Sequence, residues 1–281
     1  MTITSNSTPV SNVGLTANAQ LNALLGGTKW GGPAGTGVTL TFSFPQITSS
    51  FETAYSDGEP FTRFAAFTAT QQDATRRILS EIATAVNVTF TEVPDSGNSA
   101  GELRFGRTAA IDAGSAAHAY LPANTAEAGD VWFPSWRVDV PARGNFTWMA
   151  LVHETGHTLG LKHPFQGAVT LPAADDNRLT TVMSYTDAPG QPPFPSTMLP
   201  LDLLALQYLY GARVFATGDD TYQPMQWGDL RTIWDSGGTD TLSFAASTAN
   251  ESFTLTAGTV QRSASASVAI AYNVTIENAA G

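Results

Sequence analysis

The chain has 281 residues, 42% of them hydrophobic and 13% charged, enough apolar content for a full core and too much for a disordered chain. A net charge of −11 repels phosphate backbones and excludes nucleic acid as an expected partner, and the absence of cysteine removes disulfides, thiolate ligands and cysteine nucleophiles. No apolar run approaches the ~20 residues that span a bilayer, and the opening MTITSNSTPVSN lacks the basic-then-apolar pattern of an ordinary signal peptide, so neither a membrane span nor such a leader is expected.

Residues 1–16, rich in Ser, Thr and Asn, read as a flexible tail or pro-segment. A short helix is expected at 17–25, followed by a turn-rich connector at 26–37, where Gly and Pro cluster around Lys29. Residues 38–44 alternate apolar and polar, the pattern of a strand with one buried face. Phe67, Ala74, Ile78, Ile82 and Val86 fall at helical spacing and predict a long amphipathic helix over 64–86. Short strands are expected at 87–93, 102–106, 116–121 and 130–133, and strands with a crossover helix in this order suggest a mixed sheet. A second strong helix is expected at 146–161, loop from 164 to 180, and a third helix at 200–210 with Gly211 placed to end it. Beyond residue 214 the texture turns to Thr, Ser, Gly and Ala with alternating apolar residues at 241–244, 252–255 and 268–276, which predicts a small all-β region.

Three of the four histidines stand within the run HETGHTLGLKH, at His153, His157 and His163. On a helix, residues four apart share a face, so the first two imidazoles can hold one tetrahedral Zn²⁺ while Glu154, on the adjoining turn, reaches the water such an ion activates. Gly160 can take positive φ and turn the chain, which lets His163 approach from another direction as third ligand. Three neutral nitrogens with one open position describe a catalytic zinc. His118, among small and apolar residues, reads as a strand residue without a metal role.

The spacing HExxHxxGxxH followed by a Met-containing turn, Met183-Ser184-Tyr185, resembles the metzincin zinc endopeptidases, and within them the serralysins, secreted bacterial proteases. KWGG at 29–32, GDVWF at 129–133, LLALQYLYG at 203–211 and WDSGGTDTLSF at 234–244 are similar to the same family. The resemblance implies an α+β fold: a metzincin domain over 17–212, with a twisted mixed sheet, long helices, a zinc helix and a Met-turn, then a small β-rich region over 213–281. It implies that Met183 forms a hydrophobic floor under the zinc and that Tyr185 is a further, movable ligand able to donate a hydrogen bond to the oxyanion of the transition state. It also implies that Asp130, Val131, Trp132 and Phe133 form an edge strand that pairs with an extended substrate, whereas the calcium-binding nonapeptide repeats usual in the family are lacking in these 281 residues.

Asp235 and Asp240 flank a Gly-Gly turn, and such an all-oxygen set suits Ca²⁺. By resemblance, the loop at 216–220 faces this turn, so that Ala216, Gly218, Asp220, Asp235, Gly237 and Asp240 would share one structural ion. The expected function is that of a secreted, extracellular, monomeric zinc endopeptidase acting on protein or peptide substrates. The alternative is a non-catalytic binding or adhesion module of a larger secreted calcium-binding protein. Such a relative would be expected to have lost Glu154 or a ligand, and all are present.

Overall fold

In the computed structural model, which describes residues 7–52, 55–97, 99–112, 114–137, 139–188, 194–226, 229–248, 250–263 and 266–281, the alternating segment Val38–Ser43 forms the strand that organises the N-terminal sheet. Eight strands lie in the first half: β1 (Val10–Asn12), β2 (Thr28–Trp30), β3 (Val38–Ser43), β4 (Ala65–Ala66), β5 (Val88–Glu92), β6 (Leu103–Thr108), β7 (His118–Ala119) and β8 (Val131–Pro134). The α-helices among the described residues are α1 (Ala19–Asn22), α2 (Ala69–Ala85), α3 (Phe146–Thr158) and α4 (Pro200–Tyr210). β5, β3, β6 and β8 run parallel, and β7 closes the row antiparallel to β8, so the sheet is mixed. α2 crosses between β3 and β5 and buries Ala74, Thr75, Ile78, Leu79, Ile82 and Ala85, spaced three and four apart, on one face. Its N-terminus is set by a capping box in which the Thr68 hydroxyl accepts from Gln71 N and the Gln71 side chain accepts from Thr68 N.

Two expectations are corrected here. Residues 10–12, read as tail, pair antiparallel with β2, Val10 opposite Trp30, and Thr8 N donates to the buried Glu102 carboxylate at 2.8 Å; residues 1–6 lie outside the described residues. The segment 130–133 is not an edge along its length: β8 sits between β6, which pairs with Val131 to Pro134, and β7, which pairs with Val131 and Trp132. Val131, Trp132 and Phe133 are buried on both faces, the signature of an interior strand. Asp130 is buried as well, accepting from Arg104 N and from the Tyr55 hydroxyl. On this side of the sheet the terminal strand among the described residues is β7.

The C-terminal part contains β9 (Thr221–Tyr222), β10 (Met225–Gln226), β11 (Thr232–Ile233), β12 (Thr241–Ser243), β13 (Thr259–Arg262), β14 (Ala266–Ile270) and β15 (Asn278–Ala280). They form two small sheets, β15-β12-β9 and β10-β14-β11 with β13 added to β14. No strand forms at 252–255, because the Gln261 side chain takes both backbone hydrogen bonds of Thr254 and replaces a ladder. The fold is α+β.

Candidate functional site

α3 starts where Asn145 accepts from Trp148 N and is buried on nearly every side, so its polar residues need internal partners. His153 and His157 find theirs through Nδ1: His153 donates to Val182 O at 2.9 Å and His157 to Leu161 O at 2.7 Å. With Nδ1 as donor, each neutral ring presents a bare Nε2. After Thr158 the chain turns at Gly160, φ +99°, and returns His163 so that its Nε2 stands 3.1 Å from that of His153 and 3.0 Å from that of His157. Burial holds the His153 imidazole well below its usual range and pushes that of His157 down to about 3, so both are neutral. Bare nitrogens converging on one point fit a divalent metal such as zinc.

Glu154 lies beside this cluster, buried, with Oε2 unpartnered. Burial pushes its carboxyl up to about 8, the condition of a carboxylate able to take and return a proton near neutrality. Met183 is fully buried beneath the helix: a Cβ on Gly156 would meet its Sδ at 2.6 Å. The Tyr185 ring, 59% exposed, stands 4.5 Å from the His163 ring and 5.6 Å from that of His153, centroid to centroid. His118 is turned away from the cluster, its Nε2 2.9 Å from the buried Glu59.

A cavity of about 300 Å³ opens beside Glu154, lined by Ser115, Ala116, Phe146, Met149, Arg178 and Tyr185 among others. One wall is therefore the approach to β7, the terminal strand. Sequence reasoning missed this placement, and it missed Asp202. That buried carboxylate accepts from Thr181 Oγ1, from Val182 N at 2.8 Å and from Leu199 N at 2.9 Å, which pins the segment whose Val182 O orients His153. An acidic residue in the first turn of α4 was the available signal.

In the C-terminal part, Asp220, Asp235 and Asp240 bring carboxylate oxygens within 4.8 Å of one another. The loops carrying them touch: a Cβ on Gly238 would fall 2.0 Å from Gly218 O, Ala216 takes φ +51°, and its carbonyl accepts from Ser236 N at 3.4 Å. Gly237 N donates to Asp235 Oδ1 at 2.8 Å, while Asp240 Oδ2 is buried without a partner. Clustered carboxylates with an unsatisfied buried oxygen fit a hard cation.

The family described as Matrixin matches residues 61–190, and that described as Peptidase M10 serralysin C terminal matches residues 211–281. Similar proteins include "Serralysin" of Proteus mirabilis, 32% identical over 86% of this chain and 57% of its own length. "Serralysin G" of Dickeya chrysanthemi is 30% identical over 91% and 60%, and "Metalloprotease AprA" of Pseudomonas entomophila 31% identical over 86% and 57%. The chain thus spans less than two thirds of these relatives. No helix among the described residues is long and apolar enough to cross a membrane. With both family regions matched in order and the histidine cluster inside the first, the chain belongs to the serralysin-like metzincins.

Proposed function

We propose that this chain is the catalytic part of a secreted zinc endopeptidase, with His153, His157 and His163 holding the metal. The observation that carries this is the convergence of three Nε2 atoms beside a buried carboxyl with an unsatisfied oxygen. Zinc in this position supplies Lewis acidity, polarising the substrate carbonyl and drawing the pKa of a water towards about 7. Glu154 accepts the proton of the attacking water and delivers it to the departing amine nitrogen, which breaks the peptide bond without a covalent enzyme intermediate. The Tyr185 phenol donates a hydrogen bond to the carbonyl oxygen as negative charge develops there. Met183 gives the histidines a rigid apolar floor. The terminal strand at His118–Ala119 offers ladder hydrogen bonds to an extended substrate, and the cavity by Phe146 and Met149 takes a neighbouring side chain. Asp220, Asp235 and Asp240, with carbonyls of Ala216, Gly218 and Gly237, hold a structural Ca²⁺.

The test is zinc stoichiometry with casein cleavage, before and after chelation, in the unmutated protein and in Glu154→Ala. The variant should bind one zinc and lose turnover by about three orders of magnitude or more. Protein that neither binds zinc nor cleaves after zinc addition would sink the proposal, and near-normal turnover in Glu154→Ala would remove that residue from the role.

A further inference from the structure

The chain contains two lysines, and both end on inward-pointing carbonyl oxygens. Lys29 Nζ donates to Trp30 O at 2.8 Å, Gly32 O at 2.7 Å and Thr36 O at 3.3 Å, with the Tyr210 ring 4.7 Å away. Lys162, next to His163, donates to Ala23 O, to Gln166 O at 2.7 Å and to Val169 O at 3.1 Å, with His163 O at 3.4 Å. Carbonyls aimed at one point repel one another, and such a nest is otherwise built around a metal ion. An ammonium, with three donors and no acceptor, meets the same need from within the chain.

This nest bears on the third histidine. His153 and His157 are fixed twice, by α3 and by carbonyls that receive Nδ1. His163 has neither support. It lies beyond the helix, and its Nδ1 is buried without a hydrogen bond of that kind, with the Gln166 side chain as a favourable neighbour. Its direction depends on its own loop, which is held by Lys162 N to Leu24 O at 2.8 Å, Gln166 N to His163 O at 3.1 Å and Leu171 N to Pro164 O at 2.9 Å. The loop curls around the lysine stem: Gly167, φ +83°, would place a Cβ 3.6 Å from Lys162 Cε. The ammonium therefore joins the end of α1 to both sides of the loop that carries His163 and Gln166.

We propose that Lys162 is a positioning residue of the metal centre, its ammonium standing where a structural cation would otherwise order residues 163–169 and thereby aiming His163 at His153 and His157. This rests on the reading that the three histidines hold zinc. Because the chain has no cysteine, Lys162→Cys introduces a unique thiol that can be alkylated in denaturant before refolding with zinc. Reaction with 2-bromoethylamine rebuilds an ammonium at lysine length, and 1-iodopropane gives the same shape without charge. Zinc transfer to a chromophoric chelator should be about tenfold faster or more from the propylated protein, and aminoethylation should bring it back to within about twofold of the unmutated rate. Amide exchange at Gln166 and Leu171 should rise in the propylated form while α3 keeps its protection. Equal zinc release from the propylated and unmutated proteins, no rescue by the aminoethyl group, or loss of protection spread through α3 would each overturn the proposal. If the unmutated protein binds no zinc, the metal-centre reading fails instead, and the exchange pattern still decides whether the ammonium orders the loop.

Discussion

Gly160→Ala changes no ligand and no charge, yet it should unseat the metal centre. At φ +99° the backbone occupies a region that L-residues avoid, and a Cβ would stand 2.5 Å from Thr28 O and 3.4 Å from Leu209 Cδ1. Thr28 O belongs to β2 and cannot swing aside as a flexible side chain can. The unfavourable φ costs about 1–2 kcal/mol, and moving a backbone segment to clear the contact adds about 1–3 kcal/mol. A total near 3 kcal/mol corresponds to a fall in Tm of roughly 6–12 °C for a protein of this size. The strain enters through hydrogen bonds that matter to the site: Gly160 N to His157 O at 2.9 Å and Gly26 N to Gly160 O at 2.8 Å. It also reaches the neighbouring Leu161 O, which fixes His157 Nδ1. Zinc affinity should therefore fall about 10–100-fold, as when a supporting group behind a ligand is lost. The assay is a urea melt with and without chelator together with a zinc competition titration. Gly35→Ala serves as reference, since Gly35 has φ +83° but nothing within 4 Å of its Cβ position and so reports the φ cost alone. If Gly160→Ala is no more destabilising than Gly35→Ala, or binds zinc as tightly as the unmutated protein, the backbone-contact reasoning is wrong.

Tyr185→Phe should keep its zinc and lower kcat about a hundredfold with little change in KM, because the phenol acts on charge that develops only in the transition state; steady-state kinetics with unchanged kcat would make Tyr185 a spectator. Calcium-selective chelation should lower Tm while zinc stays bound, and Asp240→Asn should abolish most of that response, since a neutral amide is a poorer ligand than a carboxylate; a melting curve indifferent to calcium refutes the carboxylate-cluster site. Burial pushes the Asp130 carboxyl up to about 8 against the pull of Arg104, so between about pH 4 and 8 the folded chain keeps a proton that the unfolded chain releases. Its contribution is full below pH 4 and is lost as pH rises to 8; Asp130→Asn, which imitates the protonated form, should flatten that decline in urea midpoints, and identical slopes would show Asp130 already ionised at pH 5.

The parts of the molecule that the sequence made legible are those fixed by local geometry. α4 runs from Pro200 to Tyr210 as expected, because Pro suits a first turn and Gly211 leaves at φ +86°. α2 begins at Ala69 and not at residue 64; the Thr68 and Gln71 capping pair was the signal that would have placed it. The helical spacing of His153 and His157 and the turn at Gly160 are equally local, and the structure brings all three histidines to one point.

Adjacency in a sheet is of another kind. Alternation says that Val131–Pro134 is a strand but not which strands flank it, so the edge fell to β7 instead. The supports of the site were hidden for the same reason. Lys162 acts on carbonyls of Ala23, Gln166 and Val169, and any residue type can supply a carbonyl, so no pattern of side chains announces it. Asp202 reaches His153 through the backbone of Val182, accepting from its N–H while the Val182 carbonyl accepts from the imidazole Nδ1–H. A ligand set can be read from residue types at a spacing. The orientation of a ligand is carried by backbone groups, Val182 O for His153 and Leu161 O for His157, and it becomes visible only when the fold has placed them.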